Sequence, residues 1–122
     1  MHYLAEILRS IDPGARYHLK SCAVSRGAKW KPHTDKNNDH SKRSIMVTCG
    51  TRKSGGGLWI REDGEEKLLD TYFRPYYFDG RNKHWTEDWA GGDRISLVFY
   101  THKNCRNVAD DEESPAPKRQ RR

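Results

Sequence analysis

The sequence is poor in apolar residues: 34% are hydrophobic, against 33% charged. It holds no run of about 18 apolar residues, so it offers no membrane-spanning helix. The opening stretch, MHYLAEILRSID, has neither a long apolar core nor a small-residue cleavage site, and does not read as a secretory signal. Its three cysteines (Cys22, Cys49 and Cys105) are odd in number and lack C-x-x-C spacing. That argues against a disulfide framework or a structural zinc site, and for a reducing, intracellular compartment. No internal repeat is visible. Against these absences stand four Trp, six Tyr and three Phe, enough to anchor the core of the single domain that 122 residues allow.

Charge is unevenly placed. Residues 1–62 carry 12 Lys/Arg against 5 Asp/Glu, a net of +7. Residues 63–105 carry 6 against 8, a net of −2, and residues 106–122 carry 5 against 4, a net of +1. The excess lies mainly in residues 16–53, where Trp30 sits between Lys29 and Lys31. Such a stretch reads either as a contact surface for DNA or RNA or as a solubilising face. Beyond Cys105 the chain reads RNVADDEESPAPKRQRR, with Val108 its one large apolar residue. It cannot bury enough surface to order itself, which divides the chain into a domain over 1–105 and a disordered tail over 106–122. The terminal KRQRR fits a nuclear-import or polyanion-binding cluster, or a solubilising end.

The domain reads mostly as strands. Leu4, Ile7, Leu8 and Ile11 share one helical face, and Asp12-Pro13-Gly14 then stops the helix. Frequent Gly and Pro afterwards separate short runs of strand composition at 17–24, 44–49, 58–61, 67–72, 76–78 and 95–101. The last, ISLVFYT, is the most apolar and is expected at the centre of a sheet, buried on both faces. Many short strands in about 100 residues predict a mainly β domain: a sandwich, jelly roll or small barrel behind a short N-terminal helix.

The chemistry lies in the polar residues. His33 and Asp35, two apart on an extended segment, point to one face. Joined by a distant His, they could occupy one triangular face of an octahedral iron(II) and leave three positions open. His84, 51 residues further on, is the candidate for the third ligand, with His40 and His102 as competitors. Ten residues after His84 come Arg94 and Ser96, alternate residues on one face of the last strand. A guanidinium holds a carboxylate bidentately, and a hydroxyl adds a further hydrogen bond. An Arg on an apolar strand needs an anion to offset its desolvation: either an anionic cosubstrate or a protein carboxylate such as Asp93 or Asp79.

H-T-D (33–35), His84 and R-I-S (94–96) together resemble the iron(II)/2-oxoglutarate-dependent dioxygenases, over roughly residues 17–103. PHTDKNN, GGGLWI and YFDGRNKHWTEDWAGGDRISLVFYT resemble small algal and protist sequences of that superfamily, distantly similar to the TET and base-J type of nucleic-acid-base hydroxylases. The resemblance implies a double-stranded β-helix, a jelly roll of two facing sheets. It implies that His33, Asp35 and His84 bind Fe(II), and that Arg94 with Ser96 binds the distal carboxylate of 2-oxoglutarate. Dioxygen and the keto-acid end would take the open positions; succinate, carbon dioxide and a hydroxylated substrate would result. Only about 32 residues precede His33, so outer support for the sheets is thin. Asn37 and Asn38 are candidates for the second 2-oxoglutarate carboxylate or for substrate, unless Lys36-Asn37-Asn38-Asp39 is simply a turn. Trp85 should face away from His84, and Trp59 and Trp89 read as core or rim. A nucleic-acid base is the expected substrate, with a protein or small-molecule hydroxylase, or a non-catalytic module on the same fold, as alternatives. The sequence leaves the oligomeric state open.

Overall fold

The computed structural model describes residues 2–15 and 19–103. The expected tail over 106–122, its KRQRR cluster and the first residues of the basic stretch lie outside the described residues. Among the described ones are a helix, α1 (His2–Ile11), and nine strands: β1 (Ser21–Arg26), β2 (Ser44–Gly50), β3 (Ser54–Gly55), β4 (Leu58–Glu62), β5 (Glu65–Leu69), β6 (Tyr76–Phe78), β7 (His84–Thr86), β8 (Trp89–Ala90) and β9 (Arg94–Tyr100).

Two antiparallel sheets carry the domain, in the orders β1-β9-β2-β6 and β5-β4-β7, and β3 pairs with β8. The fold is a double-stranded β-helix, as the strand pattern and the resemblance led one to expect. Strand alternation divides the apolar residues between two cores. On one face of the four-stranded sheet, Ile45, Leu97 and Phe99 pack against Leu8, Ala15 and Leu19, with Leu4 and Ile11 of α1 alongside. The opposite residues of the same strands, Met46 and Val98, turn inward to join Leu58, Ile60 and Phe78. Strand β9 is central, between β1 and β2, and both of its faces are covered, as its composition foretold.

Local chemistry sets the element ends. The helix reaches the Asp12-Pro13-Gly14 stop, where the Asp12 carboxylate accepts the Gly14 N–H at 3.1 Å. The Tyr77 hydroxyl also donates to Asp12, tying the helix end to β6. Burial, then that carboxylate, push the Tyr77 phenol up to about 12. Strands β4 and β5 form a hairpin through Asp63-Gly64, both at positive φ (54° and 79°), which matches the right-handed twist of the flanking strands. This hairpin starts β5 at Glu65 and ends it at Leu69, earlier than the 67–72 expected from composition. Tyr72 instead makes an isolated parallel bridge to Thr48.

Ile45 is fully buried between helix and sheet. Ile45→Ala is expected to destabilise the fold by about 2–5 kcal/mol, through lost apolar contact and the cavity left behind. Chemical denaturation checks this: a stability loss under about 1 kcal/mol would count against the full burial of Ile45.

Candidate metal centre

His33 does not lie in a full strand. It forms an isolated bridge with His84: His33 N–H donates to the His84 carbonyl (3.1 Å) and His84 N–H to the His33 carbonyl (2.9 Å). The segment before it stays beside β7, since Thr86 N–H donates to the Trp30 carbonyl at 3.1 Å. This short pairing brings together two residues 51 apart in sequence.

Each imidazole puts Nδ1 2.7 Å from a backbone carbonyl two residues upstream, Lys31 for His33 and Asn82 for His84. A carbonyl only accepts, so each Nδ1 carries a proton, which leaves each Nε2 available as a ligand when the ring is neutral. Those Nε2 atoms face one carboxylate: His33 lies 3.6 Å from Asp35 Oδ1 and His84 3.6 Å from Asp35 Oδ2. One ligand atom from each residue falls within 4.8 Å of the others. With both rings neutral, two lone pairs and a carboxylate converging on one point make a site for a cation. For His84, burial lowers the pKa, but the Asp35 carboxylate and the Asn82 carbonyl outweigh it and raise it. A divalent metal would meet the same demand, and two neutral imidazoles with one carboxylate fit iron(II) with open positions. His40 sits instead against Asp79 (3.9 Å), and among the described residues neither it nor His102 joins this group.

Arg94 is 1% exposed. Its Nε donates to the Gly56 carbonyl at 2.6 Å, and its guanidinium carbon lies 5.7 Å from the Trp89 ring centroid. Both terminal nitrogens, Nη1 and Nη2, are buried and have no hydrogen-bond partner among the described residues. The protein carboxylates weighed as partners are engaged elsewhere: Asp93 pairs with Arg26 (2.6 Å) and Asp79 with Arg81 (2.7 Å). Burial lowers the Arg94 pKa, with Glu87 acting in the opposite direction. A buried guanidinium with an open fork has the geometry to take a carboxylate bidentately. The buried Ser96 follows on the same face of β9.

A cavity of about 560 Å³ reaches His33, Asp35 and His84. Met46, Leu58, Phe78 and Val98 give it apolar walls, and Trp30, Lys36 and Asn37 line it from exposed positions. Arg94 and Ser96 do not line this cavity; they continue along the inward face of β9 that Val98 and Tyr100 present to it. The Asn37 side chain is exposed, whereas Asn38 donates from Nδ2 to Asp35 Oδ2 at 3.4 Å. The two asparagines therefore differ in surroundings, which spacing alone could not say because it does not show which way a turn faces. Trp85 stacks on its cross-strand partner Trp59 (centroids 6.1 Å, planes 14° apart). Trp89 packs against Arg94, a role its sequence position did not announce. The basic block is partly neutralised: Arg26, Lys29, Lys42 and Arg52 have acidic partners.

No protein-family model and no curated protein matches the chain. Solved structures do. NgTET1 in complex with 5mC DNA matches with a TM-score of 0.56 at 20% identity, over 84% of this chain and 47% of that one. An oxidoreductase of the 2OG-Fe(II) oxygenase family from Burkholderia pseudomallei matches with a TM-score of 0.51 at 15% identity, over 82% of this chain and 50% of that one. The chain therefore spans about half the length of either protein and shares with them the fold of 2OG-Fe(II) oxygenases.

Proposed function

We propose that this protein is an iron(II)- and 2-oxoglutarate-dependent dioxygenase that hydroxylates a C–H bond of a nucleic-acid base. The observation that carries the oxygenase reading is the presence of both a His-Asp-His cluster, with His84 on β7 of the three-stranded sheet, and a buried, open-forked Arg94 on β9 of the four-stranded sheet. The first fits the metal, and the second fits the distal carboxylate of the keto acid. With iron(II) and 2-oxoglutarate bound, dioxygen would be the oxidant, one of its atoms going to succinate as carbon dioxide leaves and the other to the substrate C–H bond. The chain's own residues do the rest. His33, Asp35 and His84 hold the ion, and the carbonyls of Lys31 and Asn82 keep both imidazoles in the ligating tautomer. Arg94, assisted by Ser96, fixes the cosubstrate, and the apolar walls exclude water from the reacting atoms.

The nucleic-acid substrate rests on the cavity rim. Trp30 lines the cavity while 49% exposed, which suits a stacking platform for a base. Lys31 and Lys36 flank the metal-ligating segment, and Lys103 N–H donates to the Asn37 carbonyl beside it at 2.7 Å. None of these three lysines has an ion-pair partner among the described residues. Exposed Asn37 suits a contact to the same substrate. A base must leave its stack to reach the metal, so a single strand is the cheapest form of substrate. The fold is also that of NgTET1, solved with 5mC DNA.

The test is 2-oxoglutarate turnover, read as succinate, in the presence of single-stranded DNA, RNA, peptides or amino acids. Nucleic acid should stimulate it above the uncoupled background. Three lysine–phosphate contacts predict a log–log salt slope of about −2 on single strands, reduced by about 0.7 in Lys36→Ala. Stimulation by peptides or amino acids with none by nucleic acid would overturn the substrate assignment and leave the oxygenase.

A further inference from the structure

One turn, residues 79–82, touches two of the three candidate metal ligands. Its Gly80 carbonyl accepts the Asp35 N–H at 2.9 Å. Its Asn82 carbonyl accepts from His84 Nδ1 at 2.7 Å. The turn is closed by the Asn82 N–H on the Asp79 carbonyl (3.0 Å). The Asp79 carboxylate stiffens it further, accepting from the Arg81 N–H (2.9 Å) and from Arg81 Nε (3.1 Å) and Nη2 (2.7 Å).

Gly80 is buried, and a Cβ built there would stand 2.6 Å from Asp35 Oδ2, 3.1 Å from its Cβ and 3.2 Å from its Cγ. The φ of Gly80 lies outside the left-handed region, so its backbone conformation is open to alanine. The three nearest atoms to such a side chain all belong to Asp35, and the closest, the only one under 3.0 Å, is its carboxylate oxygen. That carboxylate can rotate away, whereas the backbone around it is pinned.

We infer that Gly80 is a positioning residue for the metal site: the space it leaves sets the Asp35 carboxylate, and its turn holds that carboxylate and the His84 imidazole in register. The inference rests on the metal reading above. It predicts an unusual pair of effects for Gly80→Ala. The cheapest relief of the clash rotates Asp35 out of line, which spoils ion binding and spares the fold. Alanine also restricts the unfolded chain, which favours folding.

The experiment compares the full chain and Gly80→Ala by melting without metal and by Mn²⁺ titration calorimetry. The expected result is a metal-free melting temperature unchanged or raised, with Mn²⁺ affinity lowered roughly 10–100-fold, the usual effect of losing a group that orients a ligand. Arg81→Ala loosens the same turn without adding bulk and should lower Mn²⁺ affinity severalfold, which keeps the test readable if the first variant folds poorly. Unchanged Mn²⁺ affinity in Gly80→Ala, or in both variants, overturns the inference. A parent chain that binds no Mn²⁺ overturns the metal reading instead.

Discussion

Alanine at His33 should abolish 2-oxoglutarate turnover and remove the metal-dependent rise in melting temperature, while the metal-free protein keeps its fold. The His33 side chain is 38% exposed, and its contacts belong to the site: the Asp35 carboxylate, the Lys31 carbonyl and the rings of His84 and Trp30. Removing it opens no core cavity, so the loss falls on the metal. A site absent from the unfolded chain converts binding into stability. At about a hundredfold excess over the dissociation constant the gain is about 2.7 kcal/mol, on the order of 10–20 °C for a domain of this size. His84→Ala should lose the same shift but also lower the metal-free melting temperature. His84 is 5% exposed, meets Phe78 edge-on at 5.2 Å, and would leave the Asn82 carbonyl without its donor. Asp35→Asn keeps the shape and removes the charge. Full turnover in all three variants would sink the metal assignment, and a parent melting temperature indifferent to iron, manganese or nickel would do the same.

Much of this was legible wherever a short-range pattern carried it. The helical spacing of Leu4, Ile7, Leu8 and Ile11 predicted the face that now covers Ile45, Leu97 and Phe99, although Ile7, at its edge, stays 37% exposed and outside that cluster. The apolar run over 95–101 announced the central strand, observed as Arg94–Tyr100. His33 and Asp35 were findable because two residues on an extended segment share a face, and His84 and Arg94 through the constellation they form with them. What was not legible depends on contacts between distant segments. Gly80 read as punctuation, because nothing in its neighbourhood says that Asp35 lies 2.6 Å from where its Cβ would be. Asn38 and Asn37 are equivalent in composition, and only the packed turn decides that Asn38 meets the carboxylate. The +7 excess counted charges without their partners, and Asp88 and Asp93, both from the acidic half, neutralise Lys29 and Arg26.

Replacing Arg94 by methionine should raise the 2-oxoglutarate requirement by two orders of magnitude or more and make the ligand-free protein no less stable. The two halves share one cause. Without an anion, the guanidinium is desolvated at 1% exposure, with one hydrogen bond, to Gly56, and two terminal nitrogens unpartnered. Methionine fills a similar volume, removes a charge that Glu87 offsets only in part, and leaves the Gly56 carbonyl short of a donor. With 2-oxoglutarate bound the balance reverses, because a bidentate guanidinium–carboxylate pair in a dry site is among the strongest contacts a protein makes. Lysine restores the charge but not the fork and should recover only part of the affinity. The metal ligands are untouched, so Mn²⁺ affinity should stay within a fewfold of the parent, which separates this variant from those at His33 or Gly80. Two measurements decide it: melting without ligand, and the Michaelis constant for 2-oxoglutarate. An unchanged Michaelis constant would mean that the anion binds elsewhere. A large loss of ligand-free stability would mean that Arg94 is a structural brace whose open fork has some other origin.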